Sequence, residues 1–372
     1  MENTADEGVH NNALKESLRN LFDSAIDDYV LPGYSAAIVT PSKLVTFVGG
    51  RFTYDKESLP VLESTLYDVA SITKIVGPMS IMMHLVDIGK VALNDKVTKY
   101  FSSFNSGQYK DEVTIRHLLT YTVDYDLSGT SKSLTKEILP QEFVERTFRL
   151  PLKCTPGSSY FYSNITAFLL TQIIEKVTGK NFYLTVQEKI LTPFGMTAST
   201  FFPTDEARLL IPPTEITEDR GTVQGFVHDE STHYLQSGNI SSGAAGLFAS
   251  SSNIAKFVSR ALSFSNKEDP FFSEEMVQRF TTNQFVSLLP TITPLGWGDN
   301  NNEFISAYRD RFVVKSGFTG CFIIGDLKNK IGVVILSNCT YPIRPKDRPV
   351  LNQLKREIID LLINSEQRLA SY

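Results

Sequence analysis

Ser71 and Lys74 stand three residues apart in the segment Ser71-Ile72-Thr73-Lys74. On a helix, positions i and i+3 share a face, so this hydroxyl and this amine can meet. A serine hydroxyl is a weak nucleophile until a neighbouring base takes its proton, and a lysine amine is one such base. The first turn of a helix adds free N–H groups and partial positive charge, which favour a developing oxyanion. Those parts together make an acylation centre. The same spacing recurs at Ser133-Leu134-Thr135-Lys136. For any single match of this kind, the plain alternative is a capping serine beside a solvated lysine. Context separates the two copies. Ser71 follows an extended-looking stretch, residues 64–70, and precedes an apolar run of Ile75, Val76, Met79, Ile81, Met82, Leu85 and Val86. Ser133 sits in a Ser/Thr/Lys-rich segment that reads as loop.

Other residues carry two readings each. Tyr162 is either an aromatic core residue or a phenol at a site, and Asn164 is either a helix cap or a polar positioning group. Lys315 is either a solvated strand lysine or a site cation, and Ser316-Gly317 a bulge or part of the same site. His84 and His117, flanked by apolar residues, read as packed histidines. Met79, Met82 and Met83 read as core filler. His228-Asp229-Glu230 is a candidate acid/base or metal-binding group.

The elements that must position these residues follow from periodicity. Residues 13–30 carry Leu14, Leu18, Leu21, Phe22, Ala25, Ile26 and Tyr29 at helical spacing, ended by Pro32-Gly33. Two β-like runs joined by Pro41-Ser42 come next and predict a hairpin. Residues 71–89 predict the nucleophile helix, with a kink at Gly77-Pro78 because proline lacks a backbone donor. Helical pieces are expected at 113–122, 142–150, 165–179 and 251–264, with long loops over 201–247 near the site. Residues 311–338 read as three consecutive antiparallel strands, the last two joined at Leu327-Lys328-Asn329-Lys330, and 350–363 as an amphipathic closing helix. Strands at both ends of the chain imply an α+β fold, with one antiparallel sheet built from the two termini and a mostly helical region inserted between. The expected division is a flexible tail at 1–11, a discontinuous α/β domain of 12–70 and 285–372, and a helical domain of 71–284.

With 372 residues, 42% of them apolar, the chain can bury a sizeable core. A net charge of −5 argues against nucleic acid as the main partner. No apolar run approaches the roughly 18 residues of a membrane span. The first residues are polar and acidic rather than basic and then apolar. The expectation is a cytoplasmic protein, or an exported one if a leader has been removed. Three cysteines, Cys154, Cys321 and Cys339, give no disulfide framework. No zinc spacing and no phosphate loop occur, so no metal or other cofactor is expected.

Three elements in order, Ser71-x-x-Lys74, Tyr162-x-Asn164 and Lys315-Ser316-Gly317, resemble the signature of the serine β-lactamase and penicillin-binding-protein superfamily. The tyrosine version resembles class C β-lactamases, their D,D-peptidase relatives and the family's esterases. Similar segments extend over roughly residues 12–365, among them the stretch at 113–122, the approach to Tyr162 and the run from Lys315 to Asn338. The resemblance implies a β-lactamase/D,D-peptidase-like fold and an acyl-enzyme on Ser71. It implies that Lys74 and Tyr162 form the proton-transfer pair. A phenol ordinarily titrates near ~10, so in this scheme Tyr162 needs the cations Lys74 and Lys315 beside it. It further implies that Asn164 positions the substrate, that Lys315 and Ser316 bind a substrate carboxylate, and that the backbone N–H groups of Ser71 and Phe318 form the oxyanion hole. Two departures bear on substrate choice. Where relatives usually have His-Thr-Ser-Gly, this chain reads Tyr121-Thr122-Val123-Asp124-Tyr125, and its third motif opens on Lys315 where many esterase and peptidase relatives have histidine or tryptophan, which favours a carboxylate-bearing substrate. The function expected is a serine hydrolase of ester or amide bonds in a small-molecule or peptide substrate, D-amino-acid peptides and β-lactams included. An acyltransferase, a true β-lactamase and a non-catalytic scaffold are the alternatives. Oligomeric state is open at this point.

Overall fold

The computed structural model describes residues 3–105, 107–127, 139–264, 271–285, 294–297, 308, 310–345 and 349–369, with backbone alone at 3–11 and 365–369. The second Ser-x-x-Lys copy, Ser133 to Lys136, lies outside the described residues. Helix α1 (Asn3–Asp27) leads into the hairpin β1 (Gly33–Val39) and β2 (Leu44–Gly50). The helix takes in residues 3–11, part of the segment 1–11 expected from the sequence as a flexible tail. Strands β3 (Tyr67–Asp68), β4 (Glu215–Thr217), β5 (Gly221–Val223) and β6 (Phe248–Ala249) are short, and β7 (Phe312–Ser316), β8 (Phe322–Asp326) and β9 (Ile331–Ser337) close the chain's main sheet. The helical region holds α2 (Ile72–Lys74), α3 (Ser80–Asp87), α4 (Val97–Tyr100), α5 (Ile115–Leu119), α6 (Pro140–Arg149) and α7 (Asn164–Thr178). It continues through α8 (Phe182–Val186), α9 (Asp205–Arg208), α10 (Glu230–Ser237), α11 (Ser251–Ala261) and α12 (Glu274–Thr281), and α13 (Pro349–Leu369) is the last described element.

The main sheet runs β2-β1-β9-β8-β7, every neighbouring pair antiparallel. The sheet thus joins the first strands of the chain to the last, around the inserted helices. Both faces are covered. Leu18 and Phe22 of α1 and Leu354 and Ile358 of α13 bury one face against Ile38, Val314, Ile324 and Val333. The other face, with Ala37, Val313, Ile323 and Val334, packs on Ile254 and Val258 of α11 and runs into the core of the helical region. Covering on two sides explains why β1 and β9 are buried along their whole length. Each large apolar side chain so buried contributes roughly 1.5–3 kcal/mol.

The pleat decides what β7 offers. Val313 belongs to the helical-side core while Phe312 and Val314 belong to the terminal-helix side. Lys315 therefore shares the helical side with Val313, and Ser316 shares the other side with Val314.

At the expected kink, Ile75–Met79 forms a π-helical turn between α2 and α3, with Pro78 inside it. Widening the turn accommodates the missing proline donor. Ser80 Oγ donates to the Ile75 carbonyl at 2.5 Å, satisfying an acceptor in this irregular turn. The 201–247 segment, expected as loop, also carries the β4–β5 hairpin and α10.

Candidate active site

Ser71 is the residue where an extended strand turns into a helix. Strand β3 pairs with β6, the Val69 amide donates to the Leu247 carbonyl at 3.1 Å, and the Leu247 amide donates to Thr73 Oγ1 at 3.1 Å. Between strand and helix, Ala70 has φ +45°, a left-handed conformation that residues with a Cβ rarely adopt. The buried Asp68 carboxylate holds that turn by accepting from the Ala70 amide at 2.8 Å. Ser71 follows at the N-terminus of α2 with φ −68°.

Lys74 is wholly buried, and its Nζ donates to Ser71 Oγ at 2.9 Å and to the Ala244 carbonyl at 2.8 Å. Tyr162 lies beside both site lysines. The Nζ of Lys74 is 5.2 Å from the centre of its ring and that of Lys315 is 4.7 Å. Two ammonium groups from elements 241 residues apart in sequence thus converge on one phenol beside the serine.

Tyr121 joins them, and sequence reasoning gave it no role beyond marking a departure in the loop. Its hydroxyl accepts from Lys315 Nζ at 3.0 Å, and its ring stands 4.7 Å from that of Tyr162. Tyr121 is buried with φ +56°, and its carbonyl accepts from the Phe161 amide at 2.7 Å. The signal available was a phenol directly after Leu118-Leu119-Thr120, which spacing alone cannot place near residue 315.

Asn164 does not cap α7. Ser163 does, accepting from the Ile165 amide at 3.1 Å, which leaves the Asn164 side chain to reach sideways. Its Nδ2 donates to Asp229 Oδ2 at 2.8 Å. Burial works to raise the Asp229 pKa, but hydrogen bonding from Ser231, the charge of Lys74 and bonds from Thr232 outweigh it and hold the carboxyl below its ordinary range.

At the third motif the structure separates what the resemblance put together. Lys315 points to the site, whereas Ser316 lies on the opposite face of β7, where Lys355 Nζ of α13 donates to its hydroxyl at 2.5 Å. A carboxylate bound at Lys315 Nζ is not shared with that hydroxyl, because the pleat alternates the two side chains. Gly317 has no room for a side chain. A Cβ there would stand 2.4 Å from the Val69 carbonyl oxygen, so the end of β7 rests directly on the nucleophile segment. Phe318 comes one residue after this contact and Ser71 two residues after Val69. The contact thus brings together the two segments that carry those residues' backbone amides.

The group His228-Asp229-Glu230 is divided among three partners. His228 Nε2 meets Glu215 Oε2 at 3.0 Å, Asp229 takes the Asn164 amide, and Glu230 accepts from Arg344 at 2.6 Å. Among the described residues, no group of three or more His, Cys, Asp or Glu is gathered to hold a metal ion. The same arginine grips Glu215 in a fork, with distances of 2.7 and 2.6 Å. Against a burial penalty that raises it, this fork and the neighbouring His228 keep the Glu215 carboxyl below the ordinary glutamate range. A depressed carboxyl gives stability that is present above its unfolded pKa of about 4.3 and lost as pH falls through the lower folded value. Glu215→Gln is accordingly expected to lower the melting temperature at pH 7 and to flatten its fall below about pH 4.3. Thermal melts from pH 3 to pH 8 measure this, and an unchanged acid limb would exclude the fork as its source.

Cys321, buried behind Gly317, has its thiol pushed up to about 12 by burial, and its Sγ lies 3.4 Å from the Ser337 carbonyl. It is a packed thiol rather than a nucleophile. His84 stacks on Phe271 and His117 on Phe285. Burial lowers the pKa of both, that of His117 to about 4.

The chain matches the family model described as Beta-lactamase over residues 18–356. A protein of Escherichia coli (strain K12) named "Putative D-alanyl-D-alanine carboxypeptidase" is 30% identical over 304 residues, covering 74% of this chain and 69% of that protein. A D-alanine carboxypeptidase of Burkholderia cenocepacia superposes with a TM-score of 0.72 at 16% identity, covering 95% of this chain and 99% of that one. EstCE1, described as a hydrolase with promiscuous acyltransferase activity, gives 0.74 at 16% identity, with 94% and 99% covered. Among the described residues, no helix is long and apolar enough to cross a membrane.

Proposed function

This chain belongs to the beta-lactamase family, and from that premise we propose that it is a serine hydrolase that cleaves ester or amide bonds through an acyl-enzyme on Ser71. The observation that carries the reading is the buried Lys74 Nζ at 2.9 Å from Ser71 Oγ, with Tyr162 beside it. A binding scaffold has no need of a desolvated amine on a serine hydroxyl. In the proposed reaction Ser71 Oγ attacks the acyl carbon, and its proton passes to the Lys74–Tyr162 pair. The carbonyl oxygen becomes an oxyanion facing the amides of Ser71 and Phe318. Collapse expels the alcohol or amine, which takes the proton held by the pair. A water molecule then attacks the ester on Ser71, giving up a proton by the same route, and the free acid and the serine are restored.

Lys315 supplies a site cation beyond the proton-transfer pair, and a substrate carboxylate would compete with the Tyr121 hydroxyl for it. The name of the Escherichia coli relative makes peptides ending in D-Ala-D-Ala the first amides to test, beside activated esters and β-lactams. The test is intact mass over time after mixing with benzylpenicillin or a p-nitrophenyl ester. A lasting adduct supports a peptidase-like enzyme, and an adduct that disappears as penicillin is consumed supports a β-lactamase. Turnover of esters alone supports an esterase. Absence of any adduct and of any turnover with all three classes would overturn the reading.

A further inference from the structure

Asp68, three residues before the serine, is a buried carboxylate whose side chain accepts from two main-chain amides. Its Oδ1 accepts from Ala70 N at 2.8 Å and its Oδ2 from His228 N at 2.7 Å, across 160 residues of sequence. Its own carbonyl accepts from Thr319 Oγ1 at 2.7 Å, in the turn that follows β7. Three chain segments therefore meet at one residue: the left-handed turn before Ser71, the loop ahead of α10, and the turn containing Phe318. We propose that Asp68 is a positioning residue that sets the oxyanion hole, holding the Ser71 and Phe318 amides in register through these three bonds.

Two further features support this. The ring of Phe318 stacks on His228 at 5.4 Å with an interplanar angle of 24°, so the loop tied to Asp68 also braces the residue whose amide is assigned to the hole. His228 in turn is buried and fixed by Glu215, which Arg344 grips, and the Arg344 guanidinium lies 5.4 Å from the Phe318 ring centre. The strain at Ala70 needs a restraint of this kind, since a left-handed residue with a Cβ persists only where its surroundings over-determine it. An oxyanion hole works only while its donors are already aimed at the developing charge.

The inference rests on the hydrolase reading and is tested so that the two can fail separately. In Asp68→Asn one acceptor oxygen becomes an NH2 group facing a backbone N–H, so one of the two ties is lost. Rates are normalised to active sites titrated with an acylating ester. The expected result is a kcat lower by about 10–100-fold with KM within about threefold, because a small misplacement of donors costs the transition state and not ground-state binding. Phenylboronic acid, which forms a tetrahedral adduct on a serine, is expected to bind more weakly by a similar factor. Hydrogen–deuterium exchange is expected to quicken at Ala70, at His228 and in 317–320, and not in β1 or β9. If Asp68→Asn does not fold, Thr319→Val removes the third tie at constant shape, with the same signs expected. An unchanged kcat per titrated site, with normal boronate binding, would show Asp68 to be merely structural and overturn the positioning role. Unchanged exchange in all three segments would overturn the tie. A wild-type protein that never acylates would overturn the hydrolase reading itself, and the exchange result would then decide the tie alone.

Discussion

Replacing Ser71 by alanine is expected to abolish acyl-enzyme formation and to lower turnover of an activated ester by about 10⁴–10⁶-fold, as removal of a nucleophile does in serine hydrolases generally. The substitution removes one oxygen from a half-buried position, so packing changes little and the melting temperature is expected to move by only a few degrees. What it removes chemically is the atom to which Lys74 donates at 2.9 Å. Lys74 keeps the Ala244 carbonyl as a partner, so the buried amine is not stranded. Mass spectrometry of the reacted protein and steady-state rates check the result. An adduct that forms at the wild-type rate on Ser71→Ala would place the nucleophile elsewhere and sink the mechanism. Comparison with Lys74→Met then separates the nucleophile from its base, since the methionine fills the same buried space without a proton to carry.

The parts of this arrangement that the sequence disclosed are those with a local signature. Short apolar, β-branched runs bounded by turn residues predicted the β1–β2 hairpin and the three closing strands, because a strand declares itself within a few residues. Helix α7 declared itself by its apolar spacing, and Gly77-Pro78 announced an irregular turn, though not that a π-helical turn would absorb it. Ser71, Lys74, Tyr162 and Lys315 were visible only because three short motifs stand in a fixed order. What stayed hidden depends on pairs far apart in the chain. Nothing local links Asp68 to His228 or Tyr121 to Lys315, and no spacing says that Asn164 reaches Asp229 once Ser163 has taken the cap. Ser316 shows the opposite error. Adjacent letters in a motif invite a shared role, but adjacent residues of a strand face opposite ways, and here the second faces α13.

Two phenols stand beside the site lysines, and their phenylalanine variants decide which one moves the proton. Phenylalanine keeps each ring, its packing and its contact with the cations, and deletes only the hydroxyl. For Tyr162→Phe the expected loss is about 10²–10⁴-fold in kcat, the range for removing a positioned general acid–base group. KM is expected to change little, since in the proposed reaction this oxygen moves the proton and does not hold the substrate. Tyr121→Phe removes the acceptor of the Lys315 bond at 3.0 Å and takes one hydrogen bond from a buried amine. Such a loss costs about 1–3 kcal/mol, and it is expected to appear mainly in stability, with kcat lower by only about tenfold. The two variants therefore differ in where the loss falls as well as in its size. Steady-state kinetics and thermal melts on both, with one activated ester, make the comparison. A larger kcat loss for Tyr121→Phe than for Tyr162→Phe would transfer the proton-carrying role to Tyr121 and leave Tyr162 as the ring on which the two cations rest.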